Sequence, residues 1–139
     1  MPPPFEIIEH PADVGFLAYG RTLEELFTNS ALAMFSLACE PSAIEERERR
    51  EIELTGGDHE TLLFAWLAEL LAISDAEQIF FRGAEVSEVS EGRVRGTAKG
   101  EKYDKSRHRA GTYIKAVTYH QLYIERAPEG WRARVFLDV

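Results

Sequence analysis

The chain has 139 residues, of which 45% are hydrophobic and 29% are charged, and its formal net charge is −8. A chain of this length folds as one compact domain with a real core. The acidic balance excludes a protein that coats nucleic acid non-specifically, because phosphate neutralisation requires clustered Lys and Arg. No apolar run approaches the ~20 residues that a membrane span requires, so we predict no membrane partner.

The first four residues, Met1-Pro2-Pro3-Pro4, lack the basic and apolar regions of a secretory signal. We therefore expect a cytoplasmic protein with a flexible tail over residues 1–4 and one domain over 5–139. Because Cys39 is the sole cysteine, an internal disulfide and a cysteine-based zinc site are excluded. Any bound metal must use oxygen or imidazole ligands, and Cys39 is interpreted as a small core residue rather than a nucleophile.

Two segments have the spacing of amphipathic helices. The first extends over residues 23–38, with Thr22 as N-cap and Glu25 completing a capping box, and Pro41 marks its end. The second, HETLLFAWLAELLAIS at 59–74, is predicted to be the central core helix. Its apolar face comprises Leu62, Leu63, Trp66, Leu67, Leu70 and Leu71.

Most of the remaining chain alternates with the period of β-strands. The predicted strands cover 5–9, 14–20, 51–54, 79–89, 94–101, 112–125 and 131–139. We therefore predict an α+β fold in which mainly antiparallel sheet or sheets pack with two principal helices. Residues 40–51, EPSAIEERERRE, are interpreted as a charged connector that could be mobile.

The turn RAPEG at 126–130 predicts that the last two strands are hairpin neighbours, which would bring Lys115 near Asp138. Within the last strand, alternation assigns Trp131, Ala133, Val135, Leu137 and Val139 to the core face. The same alternation over 112–125 places Lys115 and His120 on opposite faces unless a bulge intervenes.

Positive charge is concentrated in one segment. Residues 99–115 contain six Lys or Arg and only two acidic residues, so their net charge is +4 and that of the rest of the chain is −12. The segment is either a solvated loop or a patch that meets a phosphate or an acidic partner surface. Its candidate contact residues are Lys99, Lys102, Lys105, Arg107 and Arg109.

Two carboxylates are candidates for metal binding. Asp13, in HPADVG, could be only a turn device at the start of a strand, and Asp138 could be only exposed polarity near the chain end. If both converge, two carboxylates with backbone carbonyls suit a hard cation such as Ca²⁺ or Mg²⁺. Lys115 nearby would then bind a phosphate or carboxylate. The motifs of nucleotide hydrolysis, dinucleotide binding and the commoner hydrolases are missing.

Five runs in this order resemble the archease family over nearly the whole chain from Phe5 to Val139. They are HPADVGFLAYGRTLEELFTNSALAMF at 10–35, LLFAWLAELL at 62–71, GEKYDKSRH at 100–108, IKAVTYHQL at 114–122 and WRARVFLDV at 131–139. The resemblance implies a small α+β protein that is not a catalyst. It implies an accessory factor for an RtcB-type RNA ligase, which joins tRNA halves with GTP and Mn²⁺ through a histidine–GMP intermediate.

The resemblance further implies that the protein promotes ligase guanylylation and restores turnover, and that it meets tRNA and GTP indirectly through the ligase. The family's divalent metal site carries over onto Asp13 and Asp138, with the Val139 carbonyl as a further ligand; Ca²⁺ is the expected ion and Mg²⁺ or Mn²⁺ are alternatives. Lys115 matches the family's functional lysine, and with His10 it is assigned to the partner-facing surface. His120 is then expected on the core side or in a hydrogen bond.

Two departures from the family pattern limit this transfer: Pro11 stands where Thr is more common, and Ala65 where many relatives have an acid. Two other functions also stay open. One is a stand-alone metal-dependent phosphatase or nuclease that uses Asp13, Asp138 and Lys115, with His10 as the one evident base. The other is a chaperone-like modulator of RNA-processing enzymes, for which an exposed apolar groove would be the expected signature.

Overall fold

The structure is a computed structural model that describes residues 2–9 and 13–139. His10 and Pro11 of the HPADVG motif therefore lie outside the described residues. The elements of the described chain follow in order: β1 (Phe5–Glu9), β2 (Val14–Gly20), α1 (Leu23–Ala38), a 3₁₀ turn (Pro41–Ala43), β3 (Glu48–Thr55), α2 (His59–Glu77), β4 (Ile79–Ser90), β5 (Arg93–Lys102), β6 (Ala116–Val117), β7 (Tyr123–Ala127) and β8 (Gly130–Asp138).

The strands form two antiparallel sheets, and the helices lie between them. In the five-stranded sheet β1, β2 and β8 are adjacent, and β6 and β7 share the other edge of β8. The three-stranded sheet has the order β3-β5-β4. Helix α1 contacts β2 and β4, and α2 contacts β5 and β6, so each helix touches both sheets. The predicted α+β class is confirmed, and none of the described helices is long and apolar enough to cross a membrane.

The predicted face of α2 is the centre of the core. All six of its apolar residues are buried, and Trp66 is 0% exposed. The indole Nε1 of Trp66 donates a hydrogen bond to the Phe27 carbonyl at 3.2 Å, so its polar atom is satisfied. A Cβ on Gly96 of β5 would lie 2.6 Å from the Trp66 ring, so this strand approaches α2 closely only because Gly96 has no side chain. The predicted place of Trp66 on the core face of this helix is confirmed.

Helix α1 begins as its sequence predicts. The Thr22 hydroxyl accepts a hydrogen bond from the Glu25 backbone N–H at 3.1 Å. The Glu25 carboxylate accepts from the Arg21 N–H at 3.2 Å rather than from Thr22, so the reciprocal bond of the capping box is displaced by one residue. Cys39 ends the helix and is 3% exposed, and burial raises the pKa of its thiol, as suits a packing role.

Part of the connector 40–51 is regular structure, which corrects the prediction of a charged linker throughout. Pro41–Ala43 form a 3₁₀ turn, and β3 begins at Glu48, three residues before the predicted strand. The charged side chains here are paired rather than simply solvated: Arg50 donates to Glu77 of α2 at 2.6 Å and to Glu48 at 3.1 Å. Because its charged side chains pair with α2 and with one another, this charged segment can form part of the edge strand β3.

The prediction of one strand over 112–125 is wrong. Residues 103–115 are irregular, because they cross the end of α1 and their N–H groups bond its last carbonyls: Gly111 to Ala38 and Thr112 to Leu37, both at 2.8 Å. Regular pairing begins at Ala116 and stops again after Val117. His120 then lies in a turn and is exposed, so its expected core-side position is also wrong.

Candidate functional site

The register of β2 and β8 brings the two candidate carboxylates together. Val14 pairs with Leu137 at the end of the ladder, and continuing that register by one residue places Asp13 opposite Asp138, 125 residues away in sequence. Facing residues of antiparallel strands project from the same side of the sheet. Asp138 is exposed, whereas Asp13 is half-buried and its Oδ1 is shielded from solvent.

Lys115 lies at the same end of the five-stranded sheet. Ala116 pairs with Asp138, and the Lys115 backbone N–H donates to the Asp138 carbonyl at 2.8 Å. The predicted proximity of Lys115 and Asp138 is confirmed. Lys115 is exposed and precedes the regular part of β6, so strand alternation does not fix its side chain. We call Asp13, Lys115 and Asp138 the sheet-end cluster.

The donor chemistry of the sheet-end cluster suits a hard divalent cation, because both side-chain donors are carboxylate oxygens. The Asp138 carbonyl already accepts from Lys115, so the next backbone carbonyl, that of Val139, is the better candidate as a further ligand. In the part of the chain that the structure describes, no group of three or more His, Cys, Asp or Glu is placed to hold a metal. A cation here would therefore depend on two carboxylates, a carbonyl and water.

The basic segment is compensated in part by acidic residues in three dimensions. Arg107 donates to Glu101 at 2.7 Å and lies 3.8 Å from Glu45, which comes from the connector. The Lys102 ammonium donates to the Glu77 carbonyl at 3.0 Å, and Lys99 is half-buried on β5. Lys105 and Arg109 are exposed. The acidic connector therefore reduces the segregated charge read from the sequence, so the segment is a weaker anion site than its +4 suggests.

Sequence reasoning missed a buried polar network beneath this segment. Glu101 and His108 are each 4% exposed, and His108 Nε2 lies 2.8 Å from Glu101 Oε1. The Asp104 backbone N–H donates to His108 Nδ1 at 2.9 Å, so Nδ1 is the acceptor and Nε2–H is the donor to Glu101. The imidazole thus ties the two ends of the turn together.

The carboxylate of Glu101 has further partners. The Arg107 guanidinium, together with the Glu45 backbone N–H, lowers the Glu101 pKa to about 2, so this buried carboxylate is ionised. The only signal in the sequence was the Glu and His that flank the basic residues of GEKYDKSRH.

The chain is thus a small α+β domain in which two antiparallel sheets enclose two helices. Asp13, Lys115 and Asp138 lie at one sheet end, where Lys115 and Asp138 are exposed. A profile of the Archease protein family (MTH1598/TM1083) matches residues 5–139. Protein archease from Methanosarcina mazei is 42% identical over 97% of this chain and 95% of its own. Protein archease from Pyrococcus abyssi is 40% identical over 97% and 98%. The chain therefore belongs to the archease family.

Solved structures share the fold. The solution structure of Methanobacterium thermoautotrophicum protein 1598 is 41% identical, superposes with a TM-score of 0.84 and covers 98% of this chain and 99% of its own. A crystal structure from Thermotoga maritima, described as an archease and possible chaperone, has a TM-score of 0.66 at 22% identity and covers 95% and 94%. At that identity it supports the fold alone.

Proposed function

We propose that this protein is a non-catalytic accessory factor that activates an RtcB-type RNA ligase in tRNA splicing and RNA repair. In this role it promotes guanylylation of the ligase and so sustains multiple turnover. The observation that carries the proposal is the grouping of Asp13, Lys115 and Asp138 at one sheet end, in a chain that matches the archease family over residues 5–139. An exposed Asp138 and Lys115 are accessible to a partner's active site.

The sheet-end cluster is proposed to hold a divalent cation through Asp13, Asp138 and the Val139 carbonyl. Ca²⁺ is the leading ion, with Mg²⁺ or Mn²⁺ as alternatives. A bound cation would supply a positive centre that can hold a phosphate oxygen. Without it, the two carboxylates repel an anion, because Lys115 alone does not offset them. Binding of the cation and binding of an anionic group should therefore be coupled.

Charge also suits the proposed partner. The chain outside residues 99–115 sums to −12, and within the basic segment Arg107 is paired with Glu45 from the connector. An RNA ligase presents a basic surface to its substrate, and an acidic accessory protein is attracted to such a surface. Contact with tRNA and GTP would then be indirect, through the ligase.

Two other functions have less support. A stand-alone phosphoesterase would need a fuller set of metal ligands than the two carboxylates of the sheet-end cluster. Among residues 2–9 and 13–139, no group of three or more His, Cys, Asp or Glu is placed to hold a metal. A general chaperone would expose a broad apolar groove. A cleft does open between the prolines at 2–4 and Trp131, but four charged side chains also line it: Arg21, Glu25, Glu129 and Arg132. Elsewhere in the described chain four large hydrophobic residues are exposed, and three of the four are tyrosines. These residues are Ile7, Tyr103, Tyr113 and Tyr119.

The test is a multiple-turnover ligation assay with the cognate RtcB-type ligase, GTP and Mn²⁺. Wild type should stimulate ligation, whereas Asp138→Ala and Lys115→Ala should not, although both variants should stay folded because the positions are exposed. Asp75→Ala, which removes an exposed carboxylate of α2, is the matched control and should stimulate like wild type. A wild-type protein that leaves an active ligase unchanged would remove the proposal.

Metal binding is measured separately by calorimetric titration of Ca²⁺, Mg²⁺ and Mn²⁺. Heat of binding for wild type that is lost in Asp138→Ala and kept in Asp75→Ala is the expected result. Equal binding by all three proteins would show that the cation does not use the sheet-end cluster.

A further inference from the structure

Lys115 precedes a very short strand. β6 consists of Ala116 and Val117 alone. The chain before it, over 103–115, is irregular, and a turn over 118–122 separates it from β7. A two-residue strand forms few ladder hydrogen bonds, so the position of Lys115 relative to β8 depends on the other contacts that fix this segment.

Two side chains of the segment enter the core. Ile114 and Val117 are 2% and 7% exposed, and they lie on either side of Lys115 in the chain. Burial of apolar surface is non-directional, so these two contacts hold the segment to the core without choosing its alignment with β8. The hydrogen bonds between the strands therefore fix that alignment.

Thr118 adds a side-chain hydrogen bond to this short ladder. Its backbone N–H and its hydroxyl both donate to the Phe136 carbonyl, at 3.1 and 3.0 Å. At the other end of the segment, the Lys115 N–H donates to the Asp138 carbonyl at 2.8 Å. Residues 115–118 are therefore bonded to β8 at both ends, and the Thr118 hydroxyl doubles the bonding at one of them.

Phe136 lies close in sequence or in space to every member of the sheet-end cluster. It pairs with Gly15, two residues from Asp13, and a Cβ on Gly15 would lie 2.6 Å from its ring. It also lies two residues from Asp138, and its carbonyl holds Thr118, three residues from the lysine of the cluster. One residue of the central strand β8 thus aligns both β2 and β6 near the cluster.

The turn that follows Thr118 would weaken this end of β6 if nothing held it. Gln121 has a φ of 53°, in the left-handed region that residues other than glycine rarely adopt. Arg134 Nε donates to the Gln121 carbonyl at 3.1 Å, and the Tyr119 ring stacks on Phe64 of α2 with centroids 3.8 Å apart. A strained conformation persists only where its surroundings maintain it. The Thr118 hydroxyl bonds β8 at the point where the ladder meets this strained turn.

We propose that Thr118 is a positioning residue, whose hydroxyl bond to the Phe136 carbonyl keeps β6 aligned on β8 and so keeps Lys115 beside Asp138. The inference rests on the proposed function, since the sheet-end cluster is taken to act on the ligase. It deepens that function by naming what holds the lysine of the cluster in place. Thr118→Val removes the hydroxyl bond and sets a methyl group against a carbonyl, while the shape of the side chain is kept.

The first measurement is amide hydrogen exchange by NMR, followed at the Lys115 N–H, because that bond breaks when β6 opens. Thr118→Val should speed this exchange by roughly 2- to 12-fold, the equilibrium equivalent of one net hydrogen bond. Thr118→Ser restores the hydroxyl and should return the exchange to the wild-type rate.

Thr28→Val is the matched control. The Thr28 hydroxyl is also half-buried and accepts a hydrogen bond from the Val86 N–H at 3.0 Å, but this bond joins α1 to the three-stranded sheet. The control removes one hydroxyl bond of similar burial away from β6. It should therefore leave the exchange of the Lys115 N–H unchanged.

The second measurement is the multiple-turnover ligation assay, with the same four proteins at equal concentration. Thr118→Val should stimulate ligation at least about twofold less than wild type and Thr28→Val do, and Thr118→Ser should restore the stimulation. Urea midpoints verify that every variant is folded. A role in stability alone would lower the stimulation equally in both valine variants, and that result contradicts the proposal.

Failure of the positioning role and failure of the proposed function give different results. Unchanged Lys115 exchange in Thr118→Val overturns the positioning role, whatever the ligase does. Faster exchange with undiminished stimulation shows that the ligase does not depend on the alignment of β6, which also overturns it. A wild-type protein that leaves an active ligase unchanged removes the proposed function, whereas faster exchange in Thr118→Val still supports the hold of Thr118 on Lys115.

Discussion

Gly15 lies two residues from Asp13 along β2, and Phe136, its pairing partner, lies two residues from Asp138 on β8. A Cβ at Gly15 would lie 2.6 Å from Phe136 Cδ1, 2.8 Å from Cε1 and 2.9 Å from the Val135 carbonyl oxygen. All three distances are shorter than van der Waals contact. Phe136 is 6% exposed, so its ring has little room to move, and the carbonyl belongs to the ladder. We predict that Gly15→Ala destabilises the protein.

The magnitude follows from two opposing effects. Replacing glycine by alanine inside a strand gains about 0.5–1 kcal/mol of stability, because the unfolded chain loses freedom. Inserting a methyl group into a packed position costs about 1–3 kcal/mol. With ring and backbone both in the way, the cost falls in the upper part of that range and the net loss is about 1–2 kcal/mol. For a chain of this size that lowers Tm by roughly 3–7 °C.

The assay is thermal unfolding followed by far-UV circular dichroism, supported by urea unfolding. Gly57→Ala is the matched control, because no atom lies within 4 Å of a Cβ built there. The control should be neutral or more stable than wild type by up to about 1 kcal/mol. A Gly15→Ala protein that melts within about 1 °C of the control would refute the close packing of Phe136 on Gly15.

Three further predictions concern the core, the buried network and the cysteine. Leu70→Ala should lose about 2–5 kcal/mol in urea unfolding, since Leu70 is 0% exposed, and a loss under about 1 kcal/mol would contradict its burial. Glu101 has a folded pKa of about 2, below its ordinary 4.5, so its stabilising effect is full above pH 4.5 and lost as pH falls toward 2. Glu101→Gln should therefore show a smaller stability decrease between pH 5 and 2, and an unchanged slope would exclude this role. Cys39 should react slowly with Ellman's reagent until urea unfolds the protein, because the thiol is buried and its pKa raised; rapid native reaction would contradict that burial.

Most elements of the fold could be predicted from local sequence patterns. The apolar spacing of α2, the capping signal of Thr22 and the alternation of β1, β2, β4, β5 and β8 lie in stretches where each residue's neighbours in the chain decide its environment. The hairpin turn at 126–130 also lies in one short run, and from it the pairing of β7 with β8 could be predicted. The pairing of Ala116 with Asp138 additionally requires the interruption at 118–122, because the hairpin register alone would place Tyr119 opposite Asp138. Such signals are local, so one sequence is enough to read them.

The prediction of one strand over 112–125 failed because contacts with remote segments, rather than local patterns, determine the structure there. Residues 112–125 have strand-like alternation throughout. However, the Gly111 and Thr112 N–H groups donate to the last carbonyls of α1, and the turn at 118–122 interrupts the ladder with β8. Those hydrogen bonds join groups remote in sequence, and they outweigh the local preference for a strand. The prediction of a charged connector over 40–51 was incomplete for the same reason. Its Arg50 pairs with Glu77 of α2, and its Glu45 pairs with Arg107 of the basic segment.

By itself, the sequence determined the class of fold, the core faces of both helices and the residue types of the sheet-end cluster, because period and side-chain chemistry are properties of the chain alone. Tertiary structure decided which of these residues meet. Asp13 faces Asp138 only because β2 and β8 pair in one register, and Tyr119 rests on Phe64 only because α2 packs beneath the sheet edge. Register and packing are set by contacts between remote segments, which no periodicity along the chain encodes.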